Sequence, residues 1–291
     1  MKTATPSPVK AIRAPAKLNL RLKVTGKRPD GYHELVSVMV PVALFDRLEL
    51  RRTGRGRIDL SCRGRPVPVS EDNLVFRAAR RFYSRTGIEP GISIRMTKRI
   101  PVSAGLGGGS SDAAATLRAL NEIHGSPLDP GQLAEVAVGL GADVPFFLKR
   151  GPCLATGIGE VLSPIRNWPE FWYVIVSPPC TVSTAWVYAN LNLTLTTGEY
   201  GYINRLLRKA SFTIGELLEN DLETVTIPRF PLIAAIKKAL LAEGASGALM
   251  SGSGASVFGI FLSREQADVA KDRLALRGMG DVFSVGQVTG S

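Results

Sequence analysis

The segment Ala16 to Val24, AKLNLRLKV, alternates without a break: Leu18, Leu20, Leu22 and Val24 take one phase, Lys17, Asn19, Arg21 and Lys23 the other. A period of two sends successive side chains to opposite faces, so the segment predicts a half-buried strand whose outer face is cationic and carries an amide. The turn-rich TGKRPDGYH follows, with Asp30-Gly31 as its turn signal, and ELVSVMVPVALFDRLEL returns to strand patterning. The period then lengthens. EDNLVFRAARRFYSRTG spaces its apolar residues for a helix and ends on glycine, and GISIRMTKRI is a short strand that runs into PVSAGLGGGSSDAAA. After these glycines Ala113, Leu117, Leu120 and Ile123 recur at helical intervals up to Gly125, with Ser110 or Ser111 placed to cap the start.

A second helix, PGQLAEVAVGLG, stops at glycine just before ADVPFFLKRG. From Phe171 the character changes. FWYVIVSPP is a continuous apolar strand, followed by the amphipathic PLIAAIKKALLAEG, the strand-turn-strand ALMSGSGASVFGIFL, the charged helix REQADVAKDRLALRG and a closing strand, VFSVGQV. Strands and helices alternate irregularly, without the strict rhythm of a parallel sheet, so the class is α+β. The polar RNWPE marks a boundary, giving domains 1–166 and 167–291.

Composition narrows the function classes. A chain of 291 residues, 45% of them hydrophobic, has ample material for the cores of two moderate domains. No apolar run is long enough to cross a bilayer, and the opening MKTATPSPVK lacks the apolar stretch of a secretory signal. The expectation is a cytoplasmic protein with a short loose N-terminus and no membrane partner. Cys62, Cys153 and Cys180 are scattered and odd in number, which argues against both a disulfide framework and a thiolate metal site. His33 and His124 are too few for a histidine-rich metal centre. The net charge of +11 attracts an anion without saying which. Much of the excess arginine sits in RLELRRTGRGRIDLSCRGR, which alternates with Gly and Ser and lacks base-stacking aromatics, so it reads as an exposed arginine-rich hairpin and no nucleic-acid partner is expected.

The glycine segment is the strongest candidate for chemistry. No Gly-Lys-Ser/Thr follows the glycines, and Ser110 stands where a third fingerprint glycine would be, so neither the P-loop nor the dinucleotide pattern applies. The physics of a phosphate cradle remains: residues without side chains let successive N–H groups converge, and the helix that begins there adds its positive end. The cradle comprises Pro101, Val102, Ser103, Ala104, Gly105, Leu106, Gly107, Gly108, Gly109, Ser110 and Ser111, the serines offering hydroxyls to phosphate oxygens or a hydrated Mg2+. A second cluster, GASGALMSGSGAS at residues 244–256, marks a tight turn or a close backbone approach. Alone it is weak evidence; with the first loop it suggests two walls of one phosphate site.

PAKLNL, GYHEL, PVSAGLGGGSSDAA, GADVPFFL, NDLE and GASGALMSGSGASVFG stand in the order typical of the GHMP kinases, and between Ala14 and Gly259 the chain resembles that family. The resemblance is to the branch that phosphorylates the 2-hydroxyl of a cytidine diphosphate methylerythritol. It implies ATP and Mg2+ as cofactors, a small-molecule substrate, a monomer or weak homodimer, an N-terminal α/β domain with a left-handed βαβ crossover, a C-terminal ferredoxin-like domain and an active site in the cleft between them. The homoserine, mevalonate and galactose kinases share the glycine loop; Gly-Tyr-His and GLGGGSSDAA set them apart by resemblance only. An RNA-binding protein is the alternative from a different class.

Residue by residue, the resemblance makes Lys17 the catalytic lysine and Asp143 the catalytic aspartate that accepts the substrate hydroxyl's proton. Lys98 matches a nucleotide-side lysine and Asn73 a position near the adenine. Tyr32 and His33 match the pair that stacks on and hydrogen-bonds the cytosine, Tyr188 a second aromatic clamp, and Asn19 a substrate-binding position. Without the resemblance, Lys17 reads equally as a solvated strand residue, Asp143 as a turn or cap, and Tyr32-His33 as a strand-start pair. Periodicity itself supports one spatial relation, the shared face of Lys17 and Asn19. His124, at a helix end where an imidazole commonly caps carbonyls, receives no function.

Overall fold

The structure, a computed structural model, describes residues 8–192, 198–208 and 212–288. The loose N-terminus expected from MKTATPSPVK falls largely on residues 1–7, outside the described residues. The chain forms two compact units that are not consecutive stretches: Met1–Pro15, Phe45–Val102 and Gly108–Lys149 make the first, and Ala16–Leu44, Ser103–Gly107 and Arg150–Ser291 the second. Two long strands, β1 (Val9–Lys27) and β2 (His33–Arg52), run from one unit into the other.

In the first unit the outer half of β2 pairs antiparallel with β4 (Ile92–Lys98), Leu48 opposite Met96 and Leu50 opposite Ile94. β3 (Ile58–Gly64) runs parallel to β4 on its other side, with Leu60 opposite Ile94. The arginine-rich segment is therefore not a hairpin. β4, which comes later in the chain, lies between the two strands the arginines connect, a pairing that local turn signals cannot encode. Leu48, Leu50, Ile92 and Ile94 are fully buried, each contributing roughly 1.5–3 kcal/mol relative to exposure.

The first unit's helices are α1 (Leu74–Thr86), α2 (Gly108–Ile123) and α3 (Pro130–Val138). α1 starts at an Asn73 cap, whose side chain accepts from Val75 N at 2.8 Å, and ends at a left-handed Gly87; it buries Val75, Ala78, Ala79 and Phe82 and packs on α2. α3 begins with a reciprocal Asp129–Gln132 capping box and a proline in its first turn. α2 starts at Gly108, two residues before the serine expected to cap it, so Ser110 and Ser111 lie within its first turn. His124 does not take the carbonyl-capping role considered for it: its ring lies against Phe82 and 3.3 Å from the Tyr83 hydroxyl.

In the second unit β5 (Cys153–Thr156) pairs antiparallel with β2, β6 (Val161–Pro164) pairs with β5, and β8 (Glu219–Asn220) runs parallel to β1. A separate antiparallel sheet has the order β11-β7-β10-β9, built from β7 (Trp172–Ser177), β9 (Gly247–Met250), β10 (Val257–Phe261) and β11 (Asp281–Gly286). Four short helices, α4 (Thr184–Ala189), α5 (Glu199–Arg208), α6 (Ile214–Leu217) and α7 (Glu223–Arg229), precede α8 (Pro231–Ala242), and α9 (Arg264–Ala275) precedes β11. The sequence β7-α8-β9-β10-α9-β11 with that strand order is the ferredoxin-like arrangement. Ile233, Ile236 and Leu240 of α8 and Ala267, Ala270 and Leu274 of α9 share one core with Val174, Val257 and Leu22. Among the described residues no helix is long and apolar enough to cross a membrane.

The alternation in β1 holds, but its polar face is not an outer face. Lys17, Asn19 and Arg21 are 4%, 3% and 4% exposed, as buried as the leucines between them. Arg21 is neutralised by Glu199 at 2.5 Å and Glu219 at 2.6 Å, and Lys23 by Glu219 at 2.6 Å and Asp221 at 2.7 Å. A buried charge is tolerated when it is paired, and here acids from late in the chain meet an early strand.

Candidate active site

Lys17 anchors the second unit's polar corner. Its backbone N–H donates to Leu106 O at 2.9 Å, joining β1 to the glycine loop, and its ammonium donates to the Asn19 carboxamide oxygen. Asn19 in turn donates from Nδ2 to Ser37 Oγ at 2.8 Å, which fixes the amide so that its oxygen, not its nitrogen, faces the ammonium. The shared face read from periodicity is thus a direct contact. The turn between β9 and β10 closes on the same corner: Ser251 Oγ accepts from Asn19 N at 3.2 Å and donates to Gly105 O at 3.0 Å. Gly105, at φ 77°, has no room for a side chain, since a Cβ would overlap the Ser251 carbonyl oxygen. A Cβ on Gly252 would stand 3.4 Å from Lys17 Nζ, so bare backbone borders the lysine there. The two glycine-rich segments, far apart in sequence, therefore abut.

The NDLE segment is the scaffold of this corner. Asn220 Nδ2 donates to Met250 O and Gly252 O, both at 2.8 Å, and Glu223 accepts from Met250 N at 2.8 Å, which together hold the β9–β10 turn. Asp221 accepts from Val24 N at 2.8 Å. In the sequence reading NDLE is only one of the motifs that carry the resemblance, and Ser251 only a member of the second glycine-rich cluster.

Of the residues matched to the cytosine, His33 and Tyr188 come together: their rings stack with centroids 5.1 Å apart and 29° between planes. Burial, with Lys27 nearby, holds the imidazole below its ordinary pKa and so neutral. Tyr32 is 59% exposed, its N–H held by Asp30 Oδ1 at 3.1 Å in the predicted turn. The Thr184 and Ser253 hydroxyls, 2.7 Å apart, place further hydrogen-bonding groups in the same unit.

In the first unit Lys98 is not directed at solvent. Its ammonium lies between Asp46 and Asp112, 2.8 Å from Asp112 Oδ2, with 3% of the side chain exposed. The carboxylates hold Lys98 above its ordinary pKa against the penalty of burial, and burial pushes Asp112 up to about 7 despite Lys98. Gly108 is needed here for a reason other than phosphate approach, because a Cβ would meet Lys98 Nζ at 2.8 Å and Ile100 at 2.9 Å. At the head of α2 Gly109 is exposed, Gly107 and Ser110 are half-buried, and Gly108 between them is buried. Pro101 is buried, while Val102 and Ser103 are exposed, the serine in a left-handed conformation.

Asn73 is committed to its cap and to Pro68 O, 2.6 Å from Nδ2. Asp143 is half-buried in the turn that leads into a short 3₁₀ helix, Pro145–Leu148, anchored by the buried Phe146 and Phe147. Among the described residues no three His, Cys, Asp or Glu side chains cluster as a metal cage. Ser111 Oγ, however, is buried in the first turn of α2 without a hydrogen-bond partner, a hard oxygen of the kind that suits a cation carried mainly by phosphates.

Comparison with known proteins identifies the family. The family described as GHMP kinases N terminal domain matches residues 73–151, and GHMP kinases C terminal matches residues 204–278. A 4-diphosphocytidyl-2-C-methyl-D-erythritol kinase of Syntrophotalea carbinolica (strain DSM 2380 / NBRC 103641 / GraBd1) is 47% identical over 95% of this chain and 98% of its own. The kinase of the same name from Geobacter sp. (strain M21) is 49% identical over 89% and 92%. A crystal structure of 4-(cytidine 5'-diphospho)-2C-methyl-D-erythritol kinase superposes with a TM-score of 0.79 at 36% identity, covering 97% of this chain and all of that one.

Proposed function

The chain belongs to the 4-diphosphocytidyl-2-C-methyl-D-erythritol kinase family of the GHMP kinases, and from that premise we infer that it phosphorylates the 2-hydroxyl of 4-diphosphocytidyl-2-C-methyl-D-erythritol with ATP. This is the ATP-dependent step of the methylerythritol phosphate route to isoprenoid precursors. The observation that carries the reading within the molecule is the corner at Lys17, where an oriented, buried ammonium borders glycine backbone in the unit that also stacks His33 on Tyr188.

The 2-hydroxyl oxygen attacks the γ-phosphorus in line, the bond from that phosphorus to the β,γ-bridging oxygen breaks, and ADP leaves. Asp143 accepts the hydroxyl proton, while Lys17 offsets charge on the transferring phosphoryl group. Asn19 holds the ammonium in place, and its short reach matters because a charge displaced by an ångström loses much of its effect. Main-chain amides of the segment from Ser103 to Ser111 hold the polyphosphate, with Asn73 at the adenine end. Ser111 Oγ would help to hold Mg2+ arriving with ATP, which would supply positive charge against the phosphate oxygens. His33 presents a neutral ring edge to the cytosine, and Tyr188 and Tyr32 supply stacking faces. One chain provides every residue named, so a monomer or weak homodimer suffices, with the family's two domains meeting near residue 166.

The test is steady-state phosphorylation of the cytidine substrate beside homoserine and mevalonate. Turnover of the cytidine compound alone is expected; turnover of either other alcohol without it would overturn the assignment.

A further inference from the structure

We propose that Asp46, Lys98 and Asp112 form a buried staple at the base of the glycine loop, and that they act as positioning residues for ATP and not as its ligands. The proposal rests on the kinase reading above.

β4 delivers Lys98 as its last residue, and the chain then runs through Arg99 and Ile100 into the loop. Asp46 of β2 takes hold of all three: one carboxylate oxygen receives the Lys98 ammonium, the other the N–H groups of Arg99 at 2.5 Å and Ile100 at 2.9 Å. That fixes where the loop begins. Lys98 then reaches the second turn of α2, where Asp112 Oδ2 lies 2.8 Å away, and fixes where the loop ends. A single ammonium thus ties the entry at Ile100 to the exit at Gly108. The helix head comes this close only because Gly108 lacks a side chain.

The three side chains are 0–3% exposed, and the Lys98 ammonium donates to both Asp46 and Asp112. A buried cation between two carboxylates serves geometry: its hydrogen bonds run from β4 to β2 and to α2, so the cluster holds the three elements in one arrangement. The amides that the loop offers to phosphate are short-range donors, and their convergence depends on where both ends of the loop are held.

Steady-state kinetics of Asp112→Asn, with ATP and the cytidine substrate each varied beside the wild type, tests this. A misplaced loop is expected to raise KM for ATP by about tenfold or more while KM for the alcohol stays within about twofold. Gly108→Ala, which pushes the ammonium aside, is expected to repeat that pattern. An unchanged KM for ATP, or equal changes for both substrates, would overturn the proposal. Hydrogen exchange on the wild type reads the staple without any variant: the amides of Arg99 and Ile100 should exchange as slowly as those inside β4, and exchange at open-loop rates would overturn it. A wild type that leaves the cytidine substrate untouched would remove the kinase reading, and the exchange result would still decide the staple.

Discussion

Two lysines, each 4% exposed, occupy the two units, and their surroundings separate them. Lys98 lies between two carboxylates against Ile100, and its charge is consumed in holding β2, β4 and α2 together. Lys17 donates to a neutral carboxamide and borders the backbone of Gly252. The Lys98 ammonium is held by carboxylates from two other elements, whereas the Lys17 ammonium is turned toward a carboxamide on its own strand, beside bare backbone. Burial of a lysine therefore says little about its use until the elements that hold it are read.

The contrast makes Lys17→Met and Lys98→Met opposite experiments. Lys17→Met, like Asp143→Asn, is expected to cut kcat by roughly a thousandfold or more with ATP still bound, as measured by turnover and by titration with a non-hydrolysable analogue. Near-normal turnover in either variant would take that residue out of the chemistry. Lys98→Met should instead destabilise the fold by about 3–5 kcal/mol, because two carboxylates lose their only counter-ion in the cluster. Calorimetry showing a wild-type Tm for that variant would erase the distinction. Gly105→Ala asks whether the second unit's corner is as tightly built as the staple. The left-handed backbone and the overlap with Ser251 O predict a loss of about 1–3 kcal/mol in denaturant unfolding, and a neutral result would mean that the corner gives way.

The smallest effect is in pH. Asp112 has a folded pKa of about 7 against an ordinary value of 3.8, so between those values the folded chain keeps a proton that the unfolded chain releases. Its contribution to stability is therefore present at low pH and lost as pH rises through about 7. Asp112→Asn removes that dependence, and the variant should gain on the wild type by roughly a few degrees in Tm as pH goes from about 5 to about 8. A parallel shift of both proteins would place the proton elsewhere.

Much of this was legible, and the failures have particular causes. The strands and helices that border the glycine loop follow from period, and Gly87 and Gly125 end the helices as read, whereas the cap at Asn73 was not read. Alternation in β1 assigned the two faces correctly but could not say that the polar face would be covered, because its acids, Glu199, Glu219 and Asp221, arrive about two hundred residues later. The arginine segment was misread because strand order is not local. The staple was partly visible: Asp46 keeps phase with Leu44, Leu48 and Leu50, and Lys98 with Ile92, Ile94 and Met96, so a carboxylate and an ammonium both stand in core-facing phase on strands that pair. That reading needed the pairing, and only the structure supplies it. His33 and Tyr188 carry no periodic relation at all; their stack is a tertiary fact.

The central claim is that an oriented lysine and a carboxylate act on one hydroxyl. The direct measurement is a crystal structure with a non-hydrolysable ATP analogue and the cytidine substrate together. The account predicts Lys17 Nζ and an Asp143 carboxylate oxygen both within about 3 Å of the 2-hydroxyl or the γ-phosphoryl oxygens facing it. A substrate bound in full with its 2-hydroxyl more than about 6 Å from both groups would contradict it.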